Sequence, residues 1–77
     1  MKYEIYPRIT TDPAVLAGKP CIRGMRIRVS DILDLIGAGA DRSEILEDYP
    51  YLEDEDITAA LKFAARMTET KLAFAAE

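Results

Sequence analysis

The sequence predicts a mainly α-helical protein with a small N-terminal β-element and a three-helix core. Apolar residues recur at helical spacing from about residue 30 onward, whereas residues 18–29 alternate as an extended segment does. Helix start and stop signals divide the second half of the chain into three short helices. Since the chain has 77 residues, these elements belong to one domain at most.

We divide this single domain, residues 1–77, into a head, a core and a tail. The head covers residues 1–29, the tri-helical core residues 30–68, and the C-terminal tail residues 69–77. A domain of this size buries only about 60% of the surface that its unfolded chain exposes. We therefore expect a homodimer with twofold symmetry, because a second copy covers further apolar surface.

The head begins with residues 1–8, which are mixed in character and are predicted to be a lead-in with Ile5 or Tyr6 packed on the core. The β-branched run Ile9-Thr10-Thr11 predicts a brief strand. Asp12 followed by Pro13 is a helix start signal, with the carboxylate as N-cap and proline where no N–H is needed. We expect about one helical turn there, ended by Gly18.

Residues 18–29 carry the most distinctive pattern of the chain. Four of the ten basic residues lie in this stretch, namely Lys19, Arg23, Arg26 and Arg28. Met25, Ile27 and Val29 alternate with two of these arginines, so an extended backbone separates an apolar face from a guanidinium face. Gly24 lies where a tight turn needs a permissive backbone. We predict a small β-hairpin with its apolar face on the core and its arginine face in water.

Two helices are predicted directly after the hairpin. The first begins at Ser30 and ends near Gly37. The second begins with Asp41 as N-cap and Glu44 three residues later, which is the capping-box arrangement, and ends at Pro50. The apolar positions that share a helix face in these segments are Val29, Ile32, Leu33, Ile36, Ile45, Leu46 and Tyr49.

The third helix follows a four-residue joint, residues 50–53. Its first turn is strongly acidic, which the positive end of the helix dipole favours. Its predicted core stripe consists of Ile57, Leu61, Ala64 and Ala65. The joint has the length found in helix-turn-helix proteins, although many small helical domains share that spacing without touching DNA.

The net charge of −4 conceals an asymmetry along the chain. Residues 1–29 hold six basic and two acidic residues, whereas residues 30–77 hold four basic and twelve acidic ones. A basic head on an acidic body suggests that the head meets an anion such as phosphate. The alternative is that the head pairs with carboxylates of its own body or of a dimer partner. Both interpretations stay open at this point.

The residue inventory argues against catalysis. The chain has no histidine, so the usual general base is missing, and its single cysteine, Cys21, forms neither an internal disulfide nor a common zinc pattern. We interpret Cys21 as a small, half-buried apolar residue. The acidic clusters crowd helix ends, where capping and solvation explain them. We expect a binding module with no catalytic residues, metal or cofactor.

No targeting or membrane segment is evident. No stretch approaches the roughly 20 apolar residues that a transmembrane helix needs, and no signal-peptide pattern opens the chain. We therefore expect no membrane contact and a cytoplasmic location.

The basic side chains are the candidate DNA-binding residues: Lys19, Arg23, Arg26, Arg28, Arg42, Lys62 and Arg66. In an ordinary helix-turn-helix the start of the last helix enters the major groove. Here that start is acidic and repels phosphate. Any DNA contact is therefore expected to use the hairpin arginines, Arg42 and the later part of the third helix.

The end of the chain offers a candidate partner-binding segment. Residues 67–77 are rich in alanine and good helix formers, with Met67, Leu72 and Phe74 as apolar anchors. Two interpretations are open: the segment packs on its own domain or a dimer mate, or it docks in the groove of another protein.

One stretch of the sequence is specific enough to suggest a family. The run Ile9-Thr-Thr-Asp-Pro-Ala-Val-Leu-Ala-Gly-Lys-Pro-Cys-Ile-Arg-Gly-Met-Arg-Ile, followed by Val29-Ser-Asp-Ile-Leu, resembles the DUF433 family. Ile45-Leu, Asp48-Tyr-Pro and Glu55-Asp-Ile-Thr-Ala-Ala-Leu fit the same family, so the resemblance covers about residues 9–68. It implies a small homeodomain-like or winged-helix-like helix-turn-helix protein with an N-terminal β-element.

The resemblance also implies a function. Many members look like antitoxins of the VapB type, encoded beside a PIN-like ribonuclease toxin. The implied role is dual: neutralising the toxin encoded by a neighbouring gene, and binding operator DNA to repress its own operon. Two positions depart from the family pattern, namely Met25 in place of threonine and Glu53 in place of a Ser or Thr N-cap. Because Glu53 adds negative charge to the third helix, the alternative is a protein-interaction module without DNA binding.

Overall fold

The computed structural model describes residues 1–69 and contains three helices and a three-stranded antiparallel sheet in that range. This confirms the prediction of a mainly helical protein with a small N-terminal β-element. Two predicted partner-binding residues, Leu72 and Phe74, lie outside the described residues, as does most of the predicted tail. None of the described helices is long and apolar enough to cross a bilayer.

The sheet consists of β1 (Tyr3–Tyr6), β2 (Ile9–Thr11) and β3 (Cys21–Ile22), in the order β1-β2-β3. The prediction of a strand over β2 is confirmed, but the prediction of a mere lead-in over residues 1–8 is wrong. β1 pairs antiparallel with β2, and the register shifts between Glu4 and Tyr6, which makes a bulge. Residues 1–5 do alternate between apolar and charged side chains, but β1 is largely exposed and this run is too short to predict a strand by itself.

The predicted hairpin is present as a short loop closed at its base. The Ile22 amide donates to the Ile27 carbonyl oxygen at 3.0 Å, and the Met25 amide to the Ile22 carbonyl oxygen at 2.8 Å. Arg23 and Gly24 between them have φ angles of 44° and 75°, so the turn does require a permissive residue. Ile27 and Val29 are buried, as the alternation predicts.

The segment after β2 is more tightly wound than predicted. The Asp12 carboxylate accepts from the Ala14 amide at 2.9 Å in a turn, but no helix begins there, so the predicted helix start is wrong. The turn that follows is a 3-10 helix, Leu16–Gly18, in which Ala17 has a φ of 58°. Its left-handed backbone prevents the regular α-helical turn that the sequence predicts.

The helices are α1 (Val29–Gly37), α2 (Arg42–Asp48) and α3 (Asp54–Met67). The predicted capping box of α2 is confirmed: the Glu44 amide donates to Asp41 at 2.9 Å, and the Asp41 amide donates to Glu44 at 2.8 Å. The joint between α2 and α3 spans residues 49–53, one residue longer than predicted, because Tyr49 caps α2 rather than continuing it.

One hydrophobic core joins the sheet to the helices. Each of β2, β3, α1, α2 and α3 contributes one isoleucine with less than 2% of its surface exposed, namely Ile9, Ile22, Ile32, Ile45 and Ile57. β1 joins this core through Tyr6, whose ring meets that of Phe63 edge to face at 5.9 Å.

The predicted core stripe of α3 is partly wrong. Leu61 is 39% exposed and Ala65 is exposed, whereas Asp56, Ala60 and Phe63 face inward beside Ile57. Compared with the prediction, α3 is therefore rotated about its axis so that its buried face includes Asp56. This rotation requires a carboxylate in the interior, which the apolar pattern does not anticipate.

Candidate interaction surfaces

The centre of the basic head is a buried carboxylate. Asp56, in the first turn of α3, has no exposed surface and accepts from Arg23 Nε at 3.0 Å and Nη2 at 2.9 Å. Arg8 Nη1 donates to the same carboxylate at 2.9 Å, and the Glu53 amide donates at 2.8 Å. Among the described residues no buried side-chain polar atom lacks a hydrogen-bond partner. Asp56 therefore joins both turns of the head to the start of α3.

Both arginines occupy strained turns that direct them toward Asp56. Arg8 follows Pro7 between β1 and β2 and has a φ of 71°, and Arg23 has a φ of 44°. The Arg23 amide donates to the Arg8 carbonyl oxygen at 2.9 Å, so the two turns are hydrogen-bonded to each other. A left-handed backbone costs a non-glycine residue about 1 kcal/mol or more. The ion pairs with Asp56 offset that cost.

Asp56 stays ionised despite its burial. Desolvation by burial raises the pKa of Asp56, but hydrogen bonds from Arg23, the Glu53 amide and Arg8 lower it more. The net pKa lies below the ordinary value of 3.8. At neutral pH the cluster is therefore an internal salt bridge between head and body.

The rest of the acidic first turn of α3 is also largely paired. Arg8 donates to Glu53 at 2.7 Å, and Arg42 Nε donates to Asp54 at 2.8 Å. Arg42 Nη2 also donates to the Asp54 carbonyl oxygen and to the Thr58 hydroxyl. Of the two open interpretations of the charge asymmetry, these contacts favour pairing of the head with its own body.

Arg28 has a local structural role. Its guanidinium donates to Asp31 at 2.8 Å and 3.2 Å, and its amide donates to the same carboxylate at 2.9 Å. This closes the start of α1 and holds the pKa of Asp31 below its ordinary value, through the guanidinium contact first. Three of the seven candidate DNA-binding residues are thus ion-paired within the chain: Arg23, Arg28 and Arg42.

The four other candidates are dispersed. Lys19, Arg26, Lys62 and Arg66 are exposed and form no ion pair with any residue of the described range. Lys19, Arg26 and Lys62 each line a different concave surface. The arginine face predicted for the hairpin is therefore divided: Arg23 and Arg28 pair with carboxylates of the chain, and Arg26 is exposed.

The largest concave surface of residues 1–69 among those identified lies between α1 and α3, with a volume of about 450 Å³. We call it the apolar groove; its lining residues are Lys19, Pro20, Val29, Ser30, Leu33, Phe63, Ala64, Met67 and Thr68. Met67, one of the predicted partner-binding residues, lines it and is 57% exposed. The groove therefore places one predicted anchor beside a concave apolar wall.

A second groove, of about 320 Å³, contains two tyrosines that the sequence analysis did not single out as functional. The rings of Tyr49 and Tyr51 meet edge to face at 6.1 Å, and Tyr51 is 51% exposed. Arg26 and Asp34 line the same groove. Tyrosine and arginine are common at protein interfaces.

The inventory of reactive groups is small. Cys21 is 2% exposed, its Sγ lies 3.3 Å from the Lys19 carbonyl oxygen, and burial raises the pKa of its thiol. Cys21 is thus fully rather than half buried. Within residues 1–69, no group of three or more His, Cys, Asp or Glu side chains is placed to hold a metal ion. The absence of catalytic activity stays a prediction.

Sequence reasoning missed Arg8 and Asp56, although one signal for Asp56 was present. Asp56 shares helical spacing with Ala60 and Phe63, as a buried position does. No local signal marks Arg8, since its partners are 45 and 48 residues away.

Comparison with known proteins shows what this arrangement resembles. Residues 9–64 match the family described as "Protein of unknown function (DUF433)". The uncharacterized protein y4eO of Sinorhizobium fredii is 36% identical over 56 residues, which are 73% of this chain and 25% of that protein. The crystal structure of a DUF433 member from Anabaena variabilis superposes with a TM-score of 0.75 at 34% identity, over 80% of this chain and 61% of that one. The chain thus spans about a quarter of one relative and three fifths of the other.

Proposed function

This chain belongs to the DUF433 family, and we propose that it is a protein-binding module of the antitoxin type. Its partner is a PIN-like ribonuclease encoded by a neighbouring gene, as the family resemblance implies. The observation that carries the proposal is the apolar groove between α1 and α3.

The groove has the features of a protein-docking site. Its walls are mainly apolar, and Phe63, one of its lining residues, is buried and belongs to the hydrophobic core. Met67, another lining residue, is flexible and suits irregular partner surfaces. A partner helix with an apolar face fits such a groove, and a carboxylate on that helix would pair with Lys19 at the rim.

The comparisons support a modular role. In the relative from Sinorhizobium fredii the matching region is a quarter of a longer protein. A segment similar to this chain is thus part of a longer protein, as expected for a docking module.

Two neighbouring alanines of α3 provide a matched test. Ala64 lines the apolar groove and is partly buried, whereas Ala65 is exposed and lines none of the identified grooves. We expect A64E to weaken capture of the neighbouring gene product at least tenfold, because it places a charge in the apolar contact. A65E should leave capture unchanged. The measurement is a pull-down of the co-expressed pair, followed by titration of purified partner.

Two outcomes would overturn the proposal: no complex with the intact chain, or equal losses for A64E and A65E. A chain ending at Glu69 separates the groove from the predicted tail. If that truncated chain still captures the partner, the groove is sufficient; if it does not, the anchors Leu72 and Phe74 contribute to the complex.

Operator binding is the second candidate function, with α2, residues 49–53 and α3 acting as a helix-turn-helix. One observation favours it. Arg8, Arg23 and Arg42 pair with Glu53, Asp54 and Asp56, so most of the negative charge at the start of α3 is neutralised. Phosphate is repelled less than the sequence suggests.

The cations left for DNA on α3 are Lys62 and Arg66, four residues apart on one helix face. If α3 binds the operator, the double variant K62A/R66A should weaken binding and reduce the slope of affinity against salt by about 2. Fluorescence anisotropy on the upstream region, with unrelated DNA of equal length as control, measures both. An intact chain that gives no signal at low salt is a protein-interaction module without DNA binding.

A further inference from the structure

We propose that the outer edge of β1 pairs antiparallel with β1 of a second copy, with the twofold axis passing beside Tyr3. The two three-stranded sheets would then form one continuous six-stranded sheet. This inference is independent of the proposed function, because it needs neither a foreign partner nor the apolar groove.

The first observation is that β1 is the open edge of the sheet. The far side of β3 is covered, since Cys21 forms a bridge with Arg28 and the Val29 amide donates to the Pro20 carbonyl oxygen at 2.9 Å. The outer side of β1 pairs with no strand among residues 1–69. Its outward N–H and C=O groups form a template for another strand.

The second observation is the apolar character of that edge. Met1, Tyr3 and Ile5 are 80%, 57% and 48% exposed. They are three of the six large apolar side chains found exposed in the described range, although they lie within five consecutive positions. The strands of the sheet have only four, three and two residues, so added strands would increase the stability of the sheet.

The third observation identifies the second strand as another copy of β1. With the axis at Tyr3, Lys2 lies opposite Glu4 of the second copy, and symmetry repeats that pair on the other side. Met1 then lies opposite Ile5 of the second copy. An axis at Lys2 or at Glu4 would instead place two like charges opposite each other. Among the registers centred on residues 2 to 4, charge therefore selects the one centred on Tyr3.

The local structure is compatible with that register. The bulge lies at Ile5, between Glu4 and Tyr6, and ends the regular edge, so regular pairing is confined to residues 2–4 and Met1 lies opposite the bulged residue. One carboxylate oxygen of Glu4 accepts from the Arg8 amide at 2.9 Å, which leaves its second oxygen for Lys2 of the other copy. The Lys2 side chain lies near Gly24 and is exposed, so it is free to turn toward the edge.

Charge exchange tests both the interface and its register. Light scattering of the intact chain should give twice 8.6 kDa. K2E or E4K alone replaces two attractive pairs by two repulsive ones and should weaken the dimer roughly tenfold or more. The double variant K2E/E4K restores opposite charges and should restore the dimer. Thermal melts of each variant separate a loss of pairing from a loss of folding.

A cross-link supplies a second, independent test. Opposed Cα atoms in an antiparallel pair lie about 4.5–5.5 Å apart, which a disulfide spans. Y3C should therefore form a disulfide-linked dimer under oxidation, whereas L61C, on the exposed face of α3, should not. A mass of 8.6 kDa at all concentrations would overturn the proposal, as would a dimer that tolerates both single charge changes and is not cross-linked by Y3C.

Discussion

Replacing Asp56 with alanine is expected to lower the free energy of unfolding by about 3 kcal/mol. The carboxylate has no exposed surface, and its removal leaves the guanidinium groups of Arg8 and Arg23 without their shared partner. Those groups are 33% and 35% exposed, which is why the lower end of the range for buried pairs applies. A domain of this size has few kcal/mol to lose, so much of the variant should be unfolded at 37 °C.

The control for this prediction lies two residues away. Asp54 lies in the same helical turn as Asp56 and forms an ion pair with Arg42 of α2. The Asp54 side chain is 60% exposed. D54A should therefore change stability several-fold less than D56A, because water replaces the lost contact. Urea denaturation followed by circular dichroism measures both variants. Equal losses of unfolding free energy in D54A and D56A would show that the buried ion pairs of Asp56 stabilise the fold no more than an exposed pair does.

Local rules predicted much of the fold. The capping box of α2, the glycine turn and the apolar alternation predict α2 and the hairpin from residues within four positions of one another, and α1 begins at Val29, one residue before its predicted start. β1 was not predicted because its alternation of apolar and charged side chains covers only residues 1–5. The orientation of α3 was not predicted because an aspartate is expected to face solvent unless its ion-pair partners are known, whereas Asp56 is buried.

The candidate site was less predictable for the same reason. Arg23 and Asp56 are 33 residues apart in the chain, and Arg8 and Asp56 are 48 apart. A run of basic residues indicates an anion, but the run alone does not show whether that anion is phosphate or an internal carboxylate. Here the fold supplies the carboxylate. The arginines that pair with Asp56 thus stabilise the fold, and we propose the grooves and the edge of β1 as the surfaces that bind partners.

The same cluster predicts loss of stability in acid. Hydrogen-bonded carboxylates, Asp56 and Asp31 among them, have a pKa below the ordinary value of 3.8 in the folded chain. A group with a lowered folded pKa contributes its full stability above the unfolded value and loses it as the pH falls through the folded pKa. We therefore expect stability to stay nearly constant between pH 7 and pH 5, where the chain has no histidine to titrate, and to fall below about pH 4.

D56N assigns part of that acid sensitivity to one residue. Asparagine keeps the size of Asp56 but carries no charge at any pH, so the variant should be less stable than the parent at pH 7. As the pH falls below 3.8, the parent loses the ion pairs that the variant already lacks, and the difference between the two should shrink. Urea denaturation at intervals from pH 7 to pH 2 measures that difference. If it stays constant through the acid range, Asp56 does not titrate there, and the acid loss arises from the exposed carboxylates.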